Sequence, residues 1–551
     1  MAICILHGWL LEGSGSNLWT RSVITALARA GETVHLVCQE NHPELYDAIS
    51  EAHRHRLSGA VEPRFVRDVP YPGKCILHQP EIGETLPVFV WDKYEEYERV
   101  VPMIELSDEE LETYVERNVA VVRKIVIEHG VTAIHANHAV MMSVVAQRVS
   151  RELGVPFAIM PHGSGIEYAV KKDVRFLRYA ESAFEDASTV FAIGGEMRDR
   201  VRGVLGAVPN IDGKCVELHL GVDTSQFEPV SKSQRREKIG SLYAALHGAS
   251  RGKTPDQTAS MLARLSGDLS QEDLRELFLE TGEYDTKSSD ADIEEKLLQV
   301  DWERDSTVLF TGRLISSKGP QAILAALPLI FEQVPDTRVI VVGHGPLREP
   351  MEALLWGLEH GDRRLVMNIV AWGRALEGDP TGDQGAGDLS KVRYYYEELE
   401  AKGELDAYFD LAKKHVRCDK VLFTGYLAHT ELRYLFPCCD VGIFPSVVRE
   451  AGPLVFLEAL ASGCFPLGTY FGGMAASIDA LSGVLSPDVT AIMKIDPQDT
   501  VDDIVTHVPR ALLAGAAHKE TLAKVARDRY DWVSVAQTLS TELRAMQIPA
   551  K

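Results

Sequence analysis

The chain has 551 residues, which is too long for a single hydrophobic core and predicts two to four domains. Its 80 Asp and Glu residues against 57 Lys and Arg residues give a formal net charge of −23, which argues against nucleic acid and anionic membranes as main partners. No apolar run approaches the ~20 residues that span a bilayer, and the eight cysteines form no C-x-x-C pair, so we expect a cytoplasmic protein with reduced thiols and no integral membrane segment.

Short apolar segments alternate with helical segments in the first part of the chain. Strands that are apolar throughout are typical of a parallel sheet with helices on both faces. Residues 1–225 therefore predict a doubly wound, Rossmann-like α/β domain. Its strands are predicted at residues 2–7, 33–38, 131–136, 155–160, 189–193 and 215–220, with a helix at 20–30.

The same pattern starts again after a junction near residues 221–229. It predicts a second Rossmann-like domain over residues 226–520, with a ligand cleft where the carboxyl ends of the two sets of strands face each other. Helical insertions near 231–305 and 358–418 interrupt this domain, and the glycine-rich stretch 378–388 is predicted to be a mobile loop. The insertions fit a cover over an acceptor site, an oligomer contact or surface decoration equally well. The strands are predicted at 307–311, 338–342, 420–424, 441–444, 464–467 and 491–495.

A helix start after the strand at 441–444 is suited to bind an anion. Gly452 is predicted as the N-cap and Pro453 as the first helical residue, a position that needs no amide hydrogen. The amides of Leu454 and Val455 are then unpaired donors at the positive end of the helix. This position predicts a site for a phosphate.

Two carboxylates, Glu450 and Glu458, flank that helix start eight positions apart. Eight helical residues span about 12 Å, which exceeds the roughly 5–9.5 Å between the paired carboxylates of a glycosidase. The two residues are therefore expected to hold opposite ends of a long ligand with a negative middle, and a nucleotide sugar has this shape. The alternative is that they are two exposed glutamates beside an ordinary helix.

A basic loop follows the strand at 307–311 and opens a helix. Arg313 and Lys318 lie in it, where cations would offset the charge that builds on a departing diphosphate. The alternative is a solvated arginine and lysine. Cations are unfavourable at the positive end of a helix, which favours the functional interpretation.

Two further candidates follow strands of the first domain. Gly13 and Gly15 allow a backbone to approach a phosphate or an acceptor closely, although they do not form the G-x-G-x-x-G fingerprint of a dehydrogenase. His162 comes directly after the strand at 155–160, at the carboxyl edge of the sheet. A lone histidine is more often structural, so this candidate depends on the surrounding motif.

Together these motifs resemble those of the retaining glycosyltransferases of family 4, which have the GT-B fold of two Rossmann-like domains facing a cleft. The resemblance rests on His162-Gly163, on Arg313 and Lys318 in a G-R-x(4)-K-G element, and on the E-x(7)-E element of Glu450 and Glu458. It implies a C-terminal helix, within 521–551, that crosses back to the first domain. It also implies catalytic roles for His162, Glu450, Arg313 and Lys318, and donor binding by Gly13, Gly15, Gly452, Leu454, Val455 and Glu458.

The resemblance implies transfer of a hexose from a nucleoside diphosphate sugar, of the UDP-glucose or GDP-mannose type, to the hydroxyl of a saccharide or small-molecule acceptor. No cofactor or metal is expected, and Asp290-Ala291-Asp292 is predicted to be a solvated helix face. Members commonly read E-P-F-G-L-V where residues 450–455 carry Gly452 and Pro453, so donor identity does not carry over. The alternatives are a catalytically silent nucleotide-sugar-binding or regulatory protein, a nucleotide-sugar epimerase, and a nicotinamide-dependent oxidoreductase.

Overall fold

The computed structural model describes residues 2–12, 15–89, 97–377, 389–449 and 452–546. It divides into two compact units. Unit 1 comprises Met1–Gly221 and Asp528–Lys551, and unit 2 comprises Val222–Arg527. Each unit is a Rossmann-like α/β domain. No helix within the described residues has the length and hydropathy to cross a bilayer.

Unit 1 is built on a sheet of nine described strands in the order β11-β10-β9-β8-β1-β2-β5-β3-β4, and β6 pairs with β7 separately. All neighbours in the large sheet for which a register is given are parallel except β3 and β4. The order reverses between β1 and β8. The strands are β1 Ala2–Leu6, β2 Thr33–Val37, β3 Ile49–His55, β4 Val61–Val66, β5 Lys74–Pro80, β6 Thr85–Val88, β7 Arg99–Pro102, β8 Ala133–Asn137, β9 Phe157–Met160, β10 Thr189–Ala192 and β11 Cys215–Glu217.

The helices of unit 1 connect these strands. The longest, α2, begins with a capping box between Ser107 and Glu110 and ends at Gly130, whose left-handed conformation stops the helix. The helices are α1 Gly15–Arg29, α2 Asp108–His129, α3 Met142–Leu153, α4 Gly163–Gly165, α5 Val174–Asp186, α6 Gly195–Leu205 and α7 Ile211–Lys214, and a π-helical turn follows α4 at Ile166–Val170.

Unit 2 has a parallel sheet of six described strands in the order β14-β13-β12-β15-β16-β17. Counted from its own first strand, this is the 3-2-1-4-5-6 order of a dinucleotide-type Rossmann sheet, and the order reverses between β12 and β15. Ligands of such sheets bind beyond the carboxyl ends of the strands at this reversal. The strands are β12 Ser306–Thr311, β13 Thr337–Val342, β14 Val421–Gly425, β15 Val441–Phe444, β16 Phe465–Thr469 and β17 Lys494–Ile495.

The helices of unit 2 include those of both insertions. Among the described residues, the first insertion contributes four helices, and the second contributes three together with the end of α13. The predicted loop 378–388 lies outside the described residues. The helices are α8 Arg235–Leu246, α9 Pro255–Leu262, α10 Gln271–Thr281, α11 Ile293–Leu298, α12 Pro320–Gln333, α13 Arg348–His360, α14 Arg363–Leu376, α15 Ser390–Lys402, α16 Leu405–His415, α17 His429–Leu435, α18 Leu454–Ala461, α19 Gly472–Asp479, α20 Pro487–Ile492 and α21 Thr500–Tyr530.

The first insertion is held against unit 2 by a buried ion network. Arg348 Nη2 donates to Asp290 at 2.7 Å and to Glu352 at 2.8 Å, and Lys253 Nζ donates to Glu352 at 2.5 Å. The prediction of a solvated face at Asp290 was therefore wrong, since this side chain is 1% exposed. Its neighbour Asp292 also pairs, with Lys296 at 2.8 Å.

The last helical region is not continuous. Asp531 caps a new helix, α22 Trp532–Ala545, by accepting from Val533 N. Apolar residues of α22 join the core under β1, β2 and α1 (Val535, Ala536, Leu539 and Leu543). Ser540 Oγ donates to Glu32 at 2.7 Å, so polar contacts also bind this helix to unit 1.

Candidate functional site

The loops after β12 and β15 are bonded to each other at the reversal of the unit 2 sheet. Val447 N and Ser446 Oγ both donate to Ser317 O, at 2.9 and 3.1 Å. Gly319 lies so close that an added Cβ would be 2.0 Å from Pro445 O, and its φ of +74° also favours glycine. The two loops therefore form one rigid edge of the sheet.

Arg313 and Lys318 lie on this edge. Arg313 is exposed, and its guanidinium makes no hydrogen bond or ion pair within the described part of the chain. Lys318 ends a single 3-10 turn, Ser316–Lys318, and is half-buried. The loop after β13 supports this region, because Leu314 N donates to His344 O at 2.7 Å. Burial, and then the nearby Arg313 cation, lowers the pKa of His344.

The helix that follows β15 begins one residue later than predicted. Pro453 is the N-cap, with φ −87° and ψ 96°, and Leu454 is the first helical residue of α18. Gly452 is therefore not the cap, because Pro453 keeps an extended conformation. The amide of Phe456 donates to Pro453 O at 3.1 Å, whereas the amides of Leu454 and Val455 precede it at the positive end of the helix.

Glu458 is buried on α18, and its two oxygens differ. Oε1 accepts from His429 Nδ1 at 2.5 Å, and His429 is the first residue of α17. Oε2 is buried and has no hydrogen-bond partner within the described residues. An unpaired buried carboxylate oxygen costs free energy unless a ligand donor reaches it. Glu450, the other carboxylate of the motif, lies outside the described residues.

His162 lies at the sheet edge of unit 1, directly after β9. Its φ is +42°, which is uncommon for a residue with a side chain. The imidazole is 6% exposed, and its Nε2 is 3.0 Å from Asn137 Oδ1 at the end of β8. Burial, and then the nearby His7 and His135, lowers the pKa of His162 to about 3, so the ring is neutral at neutral pH.

The amide of Asn137 fixes the tautomer of that ring. Asn137 Nδ2 is 2.9 Å from Thr20 Oγ1 and 3.2 Å from His7 Nδ1, so its Oδ1 is the acceptor side. His135 Nε2, at 3.2 Å, and His162 Nε2 both approach this oxygen and must carry the proton. Nδ1 of His162 is then an acceptor, and it makes no hydrogen bond within the described residues.

His138 extends this cluster next to the reversal between β1 and β8. Its ring centroid is 4.9 Å from that of His162 and 4.6 Å from that of Trp9. Both of its ring nitrogens are buried and have no partner among the described residues. The sequence offered 135–138 only as a metal site without supporting acidic or thiol ligands, and it gave no role to His7. Only the fold brings these strand ends together.

The glycine loop is described in part. Gly15 begins α1, and a Cβ added there meets no atom within 4 Å, so the helix start has open space beside it. Gly13 lies outside the described residues. The structure therefore gathers Arg313, Lys318 and 452–458 at the reversal in unit 2, and it places His162 and Gly15 in unit 1.

Two segments of the chain match known protein families. Residues 88–226 match Glycosyltransferase Family 4, and residues 399–508 match Glycosyl transferases group 1. A glycogen synthase of Mycobacterium tuberculosis is 30% identical over 151 residues, which is 26% of this chain and 33% of the relative. The chain thus spans about a third of the length of the curated relatives it matches.

Solved structures match over almost the whole chain. The sucrose-phosphate synthase of Thermosynechococcus elongatus has a TM-score of 0.53 at 16% identity, covering 99% of this chain and 98% of that one. The catalytic domain of starch synthase IV of Arabidopsis thaliana, bound to ADP and acarbose, has a TM-score of 0.51 at 12% identity, with 99% of each chain covered. This similarity shows the GT-B fold.

Proposed function

We propose that this chain, which is similar to the family 4 glycosyltransferases over residues 88–226, is a retaining enzyme that transfers a hexose from a nucleoside diphosphate sugar to an acceptor hydroxyl. The observation that carries this proposal is the bonded pair of loops at the reversal of the unit 2 sheet. At this edge of the sheet lie the cations of Arg313 and Lys318, the N-terminus of α18 and the buried carboxylate of Glu458. Names of similar proteins, glycogen synthase and sucrose-phosphate synthase, agree with a sugar donor.

The diphosphate is assigned to the basic loop and the start of α18. Arg313, exposed and without an ion pair in the described part of the chain, is available to a ligand anion. The amides of Leu454 and Val455 add donors at the positive end of the helix. Such fixed groups stabilise the charge that develops on the leaving diphosphate, because they need no reorganisation during the reaction.

The ribose is assigned to Glu458. Its Oε2 is buried without a partner, and a ribose hydroxyl supplies the donor that this oxygen lacks. His429 holds Oε1 and so fixes the direction of the other oxygen. The similar starch synthase is described as bound to ADP, which supports a nucleoside diphosphate as the ligand.

The hexose is assigned to His162 and, from the family motif, to Glu450. The neutral ring of His162 offers Nδ1 as an acceptor for a sugar hydroxyl, since Nε2 is directed to Asn137. UDP-glucose and GDP-mannose are the donor types that the motif favours. Gly452 and Pro453 differ from the usual family residues, so the motif does not identify the hexose. The panel of donors described below identifies it.

The reaction needs no protein nucleophile. The acceptor oxygen bonds to C1 of the hexose on the face from which the diphosphate leaves, and the C1–O bond to the phosphate breaks. The hydroxyl proton passes to a phosphate oxygen, so a nucleoside diphosphate and a retained glycoside are released. The chain contributes positioning and electrostatic stabilisation, and we propose that it works without a metal or cofactor.

The test is the release of nucleoside diphosphate from UDP-, GDP- and ADP-hexoses without an acceptor. It is compared with a Glu450→Gln variant and with Glu332→Gln, a control at an exposed glutamate of α12. We expect slow release from one donor, lost in Glu450→Gln and kept in the control. If calorimetry finds donor binding but no acceptor supports turnover, the chain is a silent binder. Conversion of the donor to its epimer indicates an epimerase, and absence of donor binding rejects the proposal.

A further inference from the structure

Unit 1 carries five histidines on one face of its sheet, away from the residues discussed so far. His35 lies on β2, His78 on β5, and His53 and His55 on β3. The register pairs His53 with His78 and Val37 with His78, and alternate residues of a strand share a face, so all four side chains point to the same side. His129, in the last turn of α2, joins them from the covering helix.

Three of these imidazoles converge. One ring nitrogen from each of His35, His78 and His129 lies within 4.8 Å of the others. His35 Nδ1 and His78 Nε2 are 3.1 Å apart. Two nitrogen ligands of a tetrahedral zinc ion, each at 2.0–2.1 Å, are separated by about 3.3 Å, so these two atoms already have nearly the spacing of a shared metal.

The third imidazole can complete the set by a small movement. His129 is exposed at the end of a helix, whereas His35 and His78 are 2% exposed and held by their strands. A side-chain rotation of His129 therefore closes the triangle without disturbing the sheet. Its exposure also gives an ion a path from solvent.

A fourth histidine, His55, contacts the ring of His78 on the side away from His35. His55 Nε2 is 3.0 Å from His78 Nδ1, the nitrogen opposite to the one that faces His35. A metal-bound histidine usually donates its other N–H to an acceptor, which orients the ring and raises its basicity. Two lysines act on these rings, and each is paired with a glutamate, which reduces its repulsion of a cation. Lys74 pairs with Glu51 at 2.7 Å and Lys124 with Glu128 at 3.9 Å.

We propose that His35, His78 and His129 bind one Zn²⁺ ion, with a water molecule as the fourth ligand and His55 orienting His78. Neutral imidazoles suit zinc, and three histidines with one open position form a known zinc ligand set. His35 pairs with Cys4, the middle residue of β1, whereas His162 follows the carboxyl end of β9. The ion would tie two strands to α2, and we assign it no part in glycosyl transfer.

The test uses the full chain without an affinity tag, stripped with a chelator and then titrated with ZnCl₂ against a chromophoric chelator. We expect one Zn²⁺ per chain with a Kd tighter than about 1 µM. Co²⁺ in its place should give the visible absorption of a tetrahedral site. His129→Gln should weaken binding at least about 10-fold. His42→Gln, an exposed histidine of the same unit, should not change it.

A second readout is the thermal midpoint, which Zn²⁺ should raise in the unchanged chain and in His42→Gln but not in His129→Gln. His78→Asn is expected to lose binding, and the exposed His129 variant keeps the test valid if that buried variant does not fold. The proposal is overturned if the chain binds fewer than one Zn²⁺ ion, or if His129→Gln and His42→Gln bind Zn²⁺ with the same Kd. His35, His78 and His55 would then be a hydrogen-bonded chain without a metal. Either result is independent of donor turnover.

Discussion

Glu458 Oε1 and His429 Nδ1 are 2.5 Å apart, although their helices follow β15 and β14, which are separated by two strands in the sheet. The contact spans the carboxyl edge of unit 2 and holds one oxygen of the carboxylate. The other oxygen, Oε2, is left buried and unpaired within the described residues. An unpaired buried oxygen destabilises the fold, so this arrangement favours a role for Glu458 in accepting a hydrogen bond from a ligand hydroxyl.

Glu458→Ala should weaken the binding of free nucleoside diphosphate about 10- to 100-fold, because a hydrogen bond to a charged group contributes about 1.5–3 kcal/mol. Isothermal calorimetry measures this Kd. Glu332→Ala, an exposed glutamate of α12, is the control and should bind normally. An unchanged Kd in Glu458→Ala rejects the ribose assignment.

His429→Ala should weaken the same binding by a smaller factor, since it removes only the residue that orients Glu458. In the Glu458→Ala background the His429 substitution should have almost no further effect. The double-mutant cycle thus isolates the contact between the two side chains. Additive losses would mean that His429 acts on the ligand directly.

Lys318→Ala should lower kcat about 10²- to 10³-fold, by analogy with the loss of one donor that stabilises developing negative charge. KM for the donor should change much less, because the interaction strengthens as the diphosphate leaves. Steady-state kinetics with the donor found in the panel measures both constants. Lys414→Ala, at an exposed lysine of α16, should retain the full rate. A change confined to KM contradicts the leaving-group role.

His162 predicts a pH dependence of stability. Its pKa is lowered by burial from an ordinary 6.5 to about 3, so between these values the unfolded chain holds one more proton than the folded chain. The free energy of unfolding therefore falls as the pH falls from about 6 to 4, by about 1.4 kcal/mol per pH unit for this residue. Urea unfolding of His162→Gln should show a slope smaller by that amount, and equal slopes contradict the prediction.

Arg348 predicts a large loss of stability. Its guanidinium is 1% exposed and binds Asp290 and Glu352. Truncation removes the cation that these two buried carboxylates share and leaves them only Lys296 and Lys253. Arg348→Ala should lower the free energy of unfolding by about 3–5 kcal/mol in urea denaturation. Arg304→Ala is the control, because that arginine is 88% exposed at 3.9 Å from Asp301. A surface pair of this kind contributes about 0–1 kcal/mol. If the two variants lose similar free energies of unfolding, the buried network does not contribute the predicted stability.

The alternation of apolar strands and helices predicted both Rossmann-like sheets, because buried parallel strands are apolar throughout. It missed β3, β4, β6 and β7, and also β5. The β3–β4 pair is an antiparallel edge in which all of β4 except Phe65 is exposed, so no apolar run marks it. In β5, the buried polar residues His78 and Gln79 interrupt the apolar pattern.

The motifs around Lys318 and Glu458 were found in the sequence because each lies on one short loop or helix. The roles of His429, Asn137 and the histidine face of unit 1 were not, since the residues that they contact lie up to 130 positions away in the chain. Asp290 was misassigned for a related reason. An aspartate in a charged segment is expected to be exposed to solvent, and its buried partner Arg348 lies 58 positions away in the chain.

The position of α22 affects the order in which the chain can fold during synthesis. Val535, Leu539 and Leu543 belong to the core under β1 and α1, so these early elements pack against a helix that is made about 500 residues later. Until residue 543 has been made, that side of unit 1 exposes apolar surface. All of unit 2 is translated during this interval, so unit 1 is completed only after unit 2 has been made.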